Sequence, residues 1–306
     1  MPEPDPELEP SEQEAPAPSG PRASVILVAF NQADPLRRAL TAVEASTGRD
    51  RFEVIVVDCG STDDSRTIDT EFPAIKLLRL PHHLGLTKAM NIASRTAQSE
   101  LLFYISPDVE LEPGAIDVLA SRMEAETDPK GESDLVAVCP LLTDEEGELI
   151  SQIRPLPDAA ILHAILNGDE YPAQPADPNQ PIISVPYASA EALMLRKVFL
   201  RSMSNLDERF GHYWADADFA IKAYRAEKRI ELVTGARAHI YPESDPVADD
   251  PLGEADRING AIELLGKYFG GTFGPRFLGG LKALLTFNFS RASVLLGGSK
   301  LDGSQA

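Results

Sequence analysis

Between Ser24 and Asp108 the chain alternates short apolar runs with turn-and-helix segments, and this rhythm limits its fold more than any other feature. Val25–Phe30, Phe52–Val57, Ile75–Leu80 and Leu101–Ile105 are continuous, mostly aliphatic runs. Their length and β-branched content predict strands, those at 25–30 and 52–57 buried on both faces. Leu36, Leu40 and Val43 recur at helical spacing within 36–46, just after Pro35, which suits a first helical turn. Residues 87–97 read as a second helix. Strands joined in this way by helical crossovers lie parallel. The expected class is therefore α/β: a Rossmann-like, mostly parallel sheet flanked by helices, with further helices at the C-terminus. Ligands of such sheets bind beyond the carboxyl ends of the strands. Asn31, Asp58 and Asp108 all fall at such ends.

The later chain is less regular. Helices are expected at 112–126, 196–203, 216–227 and 254–268, strands at 135–139 and 230–234, and a long loop at 167–181. Residues 1–22 hold seven prolines and six acidic residues against Arg22 alone, with Leu8 the only large aliphatic. Such a segment buries too little apolar surface to offset its ordering entropy, so it is expected to be disordered. A folded domain is expected over 23–245, and a C-terminal helical extension over 246–306. In that extension Phe277, Leu278, Leu281, Leu284 and Leu285 recur at helical spacing, and Arg276, Lys282 and Arg291 occur with no acidic residue before Asp302. A helix of this kind packs on the domain, forms a subunit contact, or lies on a membrane surface.

Charge narrows the partners. The chain carries 28 Lys+Arg against 48 Asp+Glu, a net charge of −20, which argues against nucleic acid as a partner. Two cysteines, Cys59 and Cys139, make no disulfide framework and favour a reducing, cytoplasmic setting. No apolar run reaches the ~18–20 residues of a membrane span, and the start MPEPDPELEP shows no signal peptide.

Several residues suit chemistry. Asp58 opens a Cys59-Gly60-Ser61-Thr62-Asp63 turn, where a carboxylate accepts from a ribose or base, or caps the turn itself. Asp108 is either a turn aspartate or a ligand for Mg²⁺ or Mn²⁺, ions that take one or two carboxylates and fill the rest from phosphate and water. Asp216 and Asp218 follow Tyr213 and Trp214, so one carboxylate can serve as a general base beside rings that stack on a sugar. Helix-start pairing is the other account of these two aspartates. His239 is a metal ligand or a structural hydrogen-bonder. Lys88 and Asn91 stand at the start of a crossover helix, where phosphate contact and plain turn roles fit equally.

Five segments together resemble the family 2 inverting glycosyltransferases of the GT-A (nucleotide-diphospho-sugar transferase) fold, most closely a rhamnosyltransferase-like bacterial branch. They are VILVAFN at 25–31, EVIVVDCGSTDDS at 53–65, HLGLTKAMN at 83–91, SPDVELEPG at 106–114, and LDERF at 206–210 with YWADADF at 213–219. The resemblance implies transfer of a sugar from a nucleotide-diphosphate sugar to a glycan or lipid-linked acceptor. It implies donor contacts from Phe30, Asn31, Asp58, Lys88 and Asn91, and acceptor contacts from Tyr213, Trp214 and Asp218. Asp216 would be the base, and Asp108 with His239 would hold Mg²⁺ or Mn²⁺. Its departures are Cys59, His83, Ser106, Lys222 and Ala215, the last standing where the family usually has Glu. They keep open a non-catalytic sugar-nucleotide or glycan-binding protein on the same scaffold; a nucleotidyltransferase is a third alternative. The implied location is cytoplasmic, at the inner face of the membrane if the C-terminal helices touch it, and those helices are equally suited to homo-oligomer contact.

Overall fold

Side-chain alternation along β1 (Ala23–Ala29) divides the core in two. Val25, Leu27 and Ala29 face one buried cluster, and Ile26 faces the other. A strand with apolar residues on both faces must be covered on both, so helices lie on either side of the sheet. The computed structural model describes residues 20–128, 133–241, 251–270, 273–285 and 296.

Along the described chain, β1 is followed by α1 (Ala33–Glu44), β2 (Phe52–Asp58), β3 (Lys76–Arg79), α2 (Leu86–Thr96), β4 (Leu101–Ile105), β5 (Val109–Leu111) and α3 (Ala115–Ala125). Next come β6 (Leu135–Thr143), β7 (Ser151–Ile153), α4 (Ala159–Asn167), β8 (Gln174–Pro175), β9 (Ile182–Ser184), β10 (Ala192–Arg196) and α5 (Lys197–Ser202). The series closes with α6 (Ala215–Arg225), β11 (Arg229–Ile240), α7 (Pro251–Tyr268) and α8 (Phe273–Leu285).

The main sheet runs β3-β2-β1-β4-β10-β6-β11-β5, with β9 also on β11. The first four strands are parallel, as the crossover rhythm predicts. The second half is not as expected. β10 lies antiparallel to both β4 and β6, β6 and β11 are parallel, and β5 and β9 pair antiparallel with β11. The sheet is therefore mixed rather than mostly parallel. Strand β11 also outruns its expected span of 230–234, because a register shift between Val233 and Arg237 lets pairing resume beyond Gly235. The short β8 falls inside the expected long loop, and α4 was not expected at all.

One face of the sheet is covered by α1 and α3, through Leu36, Leu40, Ile116 and Leu119. The other is covered by α2, α4, α6 and α7, through Met90, Leu162, Phe219 and Ile262. Each large side chain buried in this way contributes about 1.5–3 kcal/mol. Six apolar residues of α7, including Ile258, Ile262 and Leu265, are 2% exposed or less. The expected boundary at 245 therefore does not separate α7 from the core. Of the expected tail, residues 1–19 lie outside the described residues. Arg22 is already part of the fold, with its guanidinium on Asp117 (2.5 Å) and Glu124 (2.7 Å).

Helix α7 is tied down by charge as well as by packing. Asp218 of α6 is 0% exposed and meets Lys267 (2.5 Å), Lys222 (2.9 Å) and the Tyr268 hydroxyl (2.6 Å). Lys267 also reaches Asp207 (2.7 Å). Burial opposes the Asp207 charge, but hydrogen bonds from Arg209 and Lys267 outweigh it and hold the carboxyl below its ordinary range. Lys267→Ala strips one cation from a buried carboxylate. It is expected to lower the unfolding free energy by about 3 kcal/mol, read from urea denaturation. A loss below about 0.5 kcal/mol would show that this network does not hold α7 in place.

Candidate active site

The carboxyl ends of β1 and β4 open into a cavity of about 470 Å³. Its floor is apolar, with Ile26, Tyr104, Leu193, Leu195 and Phe219. Its rim brings together Phe30, Asp108, Tyr213, Trp214 and Asp216, five of the residues singled out from the sequence. These come from three separate stretches of chain, so the fold, and not local sequence, assembles the rim.

The turns that follow β1 and β2 are fixed by their own hydrogen bonds. The Asp58 Oδ1 accepts from the Ser61 amide at 3.0 Å, closing the turn after β2. Gly60 has φ +79°, and a β-carbon there would lie 2.7 Å from the His82 Cα, so this turn requires glycine. Asn31, also at positive φ, accepts through Oδ1 from the Thr62 amide at 2.8 Å. Burial, then the Asp58 charge, pushes the Cys59 thiol up to about 12, leaving it a packing residue with no thiolate at neutral pH.

The Asp216 side requires more strain. Trp214, immediately before α6, sits at φ 79° and ψ −3°, a left-handed conformation that costs a bulky residue roughly 1–3 kcal/mol. It is held by α7: its indole N–H donates to the Arg257 carbonyl at 2.8 Å. Asp256 of the same helix accepts from the amides of His212 (2.6 Å) and Tyr213 (3.2 Å). With the loop fixed, Asp216 faces the cavity. Its Oδ2 accepts from the Ala190 amide at 3.2 Å and its Oδ1 from the Ala217 amide at 2.8 Å.

Three further residues complete this wall. Arg154 lies over the Tyr187 ring at 5.7 Å. Burial works against its charge, but Tyr187, Glu191 and Asp216 outweigh it and raise its pKa. Burial, then the Asp216 charge, holds the Tyr187 hydroxyl well above its usual value, so it stays protonated beside Asp216. Glu191 lines the same cavity as Asp108 and Asp216. None of the three stood out in the sequence. The one local signal is the place of Tyr187 and Glu191 just before the short apolar run of β10; Arg154 has none.

Other expected residues are placed elsewhere. Asp218 cannot contact an acceptor, because it is wholly buried among Lys222, Lys267 and Tyr268. Asn91 cannot contact a donor: it is 1% exposed, and its amide bonds the Leu206 backbone both ways and Glu208. Lys88 is exposed and, like Asn31 and Asp58, lies outside the cavity lining. His239 shares a 2.7 Å hydrogen bond between Nδ1 and the Thr143 hydroxyl, and its Nε2 faces Glu112 at 3.6 Å.

Among the described residues no group of three or more His, Cys, Asp and Glu is arranged to hold a metal ion. The donor set at the rim is a carboxylate, Asp108, on a cavity large enough for a phosphorylated ligand. That fits Mg²⁺ or Mn²⁺ bound chiefly through a diphosphate and water, without His239.

Residues 24–131 match the family model Glycosyl transferase family 2. The chain is 32% identical over 109 residues to the uncharacterised protein MT1568 of Mycobacterium tuberculosis (strain CDC 1551 / Oshkosh), covering 35% of this chain and 34% of that protein. It is 31% identical over 124 residues to the uncharacterised glycosyltransferase YfnE of Bacillus subtilis (strain 168), covering 39% of this chain and 30% of the relative. The match thus spans about a third of the length of each curated relative. Among solved structures, GalNAc-T7 with UDP, GalNAc and Mn²⁺ superposes with a TM-score of 0.60 at 14% identity, over 79% of this chain and 47% of that one. S. aureus TarS 1–349 superposes with a TM-score of 0.54 at 16% identity, over 91% and 75%. The fold is the mixed, helix-flanked α/β sheet of GT-A glycosyltransferases.

Gly260 leaves no room for a side chain: a β-carbon there would lie 2.5 Å from Trp214 Cδ1. Gly260→Ala is therefore expected to displace the indole from the Arg257 carbonyl. Trp214 is the only tryptophan in the chain, so its emission should shift to the red. An unchanged spectrum would show that α7 does not hold this residue.

Proposed function

We propose that the protein is an inverting glycosyltransferase that moves a hexosyl unit from a nucleotide-diphosphate sugar to a glycan or lipid-linked hydroxyl. The observation that carries this reading is the convergence of Asp108 and Asp216 on one cavity at the strand ends. The match to Glycosyl transferase family 2 over 24–131 supports it. A rhamnosyl donor is the finer form, supported by the Ser106-Pro107-Asp108 segment alone.

In this reading Asp216 is the base. It takes the proton from the acceptor hydroxyl as that oxygen forms a bond to the anomeric carbon, and the bond from that carbon to the diphosphate oxygen breaks. The Ala190 and Ala217 amides fix the carboxylate so that it reaches the hydroxyl without reorganising. Tyr213 and Trp214 offer rings against which an acceptor sugar packs. Asp108 would hold Mg²⁺ or Mn²⁺, which neutralises charge developing on the leaving diphosphate.

The proposed setting is cytoplasmic with peripheral membrane contact. In α8, Phe277, Leu281, Leu284 and Leu285 are 41–73% exposed, in a stretch whose charged residues before Asp302 are all basic: Arg276, Lys282, Arg291 and Lys300. An apolar face with basic neighbours suits an anionic lipid surface, although the body is acidic. Among the described residues no helix is long and apolar enough to cross a membrane. A homo-oligomer through the same face is the competing occupant.

Two measurements test these proposals. Asp216→Asn is expected to lower turnover by roughly 10²–10⁴-fold with donor affinity kept, and unchanged turnover would remove Asp216 from the role of base. The protein is expected to co-sediment with vesicles containing phosphatidylglycerol and not with pure phosphatidylcholine. Leu281→Ser with Leu284→Ser should abolish that binding. A change from dimer to monomer in the same variant, without vesicle binding by the parent, would assign the face to self-association.

A further inference from the structure

We propose that Glu191, with Ser189 and Arg154, forms a hydroxyl-recognition subsite for a neutral sugar ring beside Asp216. This deepens the transferase proposal by naming the residue that reads the acceptor, and it rests on that proposal for the identity of Asp216 as the base.

The backbone puts Glu191 between the two reacting ends of the cavity. Its carbonyl accepts from the Ser106 amide at 2.8 Å, two residues before Asp108. The amide of its neighbour Ala190 donates to Asp216 at 3.2 Å. The side chain therefore enters the cavity at a fixed point, beside the carboxylate that would deprotonate the acceptor.

Its own bonding leaves capacity for a ligand. One oxygen accepts from the Ser189 hydroxyl at 2.7 Å. The other lies 3.8 Å from the Arg154 guanidinium, well beyond the ~2.7–2.9 Å of a charge-assisted hydrogen bond. A carboxylate offers about four lone-pair sites, and the side chain is 42% exposed. A glutamate whose task was only to neutralise Arg154 would close on it.

The surroundings select the ligand class. Arg154 brings one positive charge, and Asp216 and Glu191 two negative ones, so this end of the cavity disfavours a phosphate or carboxylate. It favours uncharged hydroxyls, which donate to Glu191 and accept from Arg154. Tyr171 stands 5.6 Å from the Tyr187 ring and 6.1 Å from Trp214, an aromatic wall on which the apolar face of a sugar ring packs. Thr87 also lines the cavity, and its buried hydroxyl has no partner among the described residues.

The test uses the full chain and methyl glycosides of common hexoses and 6-deoxyhexoses as probes, with binding followed by saturation-transfer NMR. At least one glycoside should bind the parent protein, and Glu191→Gln, which keeps the side chain's shape, should weaken it at least tenfold. Ser189→Ala should weaken it less. Unchanged Trp214 emission in Glu191→Gln confirms that the wall is intact. Equal binding by parent and Glu191→Gln, or no binding of any glycoside by the parent, overturns the subsite. The transferase proposal fails separately. Glycoside binding that depends on Glu191, with no turnover of any nucleotide sugar, keeps the subsite and removes the enzyme. Turnover with the same acceptor KM in Glu191→Gln keeps the enzyme and removes the subsite.

Discussion

The antiparallel insertion of β10 against β4 is the constraint on which the site depends. Ala192 pairs with Ile105 and Arg196 with Leu101, so the amino end of β10 lies beside the carboxyl end of β4. The chain entering β10, from Tyr187 to Glu191, is thereby laid along the turn that carries Asp108, and the Ser106 amide closes on the Glu191 carbonyl. A parallel strand in the same place would have sent this segment to the opposite end of the strands, beside Leu101. One reversal of direction thus turns a nucleotide-binding type of strand end into a two-sided cleft, with Asp108 on one side and Asp216 on the other.

The second side is held from outside the sheet. Helix α7 contributes the carboxylate that gathers the His212 and Tyr213 amides, the carbonyl that receives the Trp214 indole, and the lysine that satisfies buried Asp218. These contacts support a left-handed tryptophan that its own sequence would not favour. Pre-organisation of this kind moves the energetic cost into folding, so that the carboxylate does not have to be positioned when the ligand arrives.

Much of this was legible in the sequence. The four parallel strands, the helices α1, α2, α6 and α7, and the placement of Asp108 at a strand end follow from apolar runs, turn residues and helical spacing, whereas Asp216 was singled out beside Asp108 by the family resemblance. What was not legible depended on direction and partner. Asp216 and Asp218 look alike in a string. On a helix, residues two apart point to different faces, and only the position of Lys267 decides which of them is buried. Asn91 reads as a polar residue at a helix start, yet its partner is the Leu206 backbone 115 residues later. Arg154 and Glu191 carry no local motif, because their meaning comes from β10 running against β4.

The central claim is that this cleft performs group transfer and does not merely bind. Incubating the full chain with a panel of nucleotide sugars and Mg²⁺ or Mn²⁺, with saccharide acceptors present, and identifying the released nucleotide is the most direct measurement. The account predicts metal-dependent release of a nucleoside diphosphate from at least one donor, matched by a glycosylated acceptor of inverted anomeric configuration. Binding of a donor without turnover, or release of pyrophosphate in place of a nucleoside diphosphate, would contradict it.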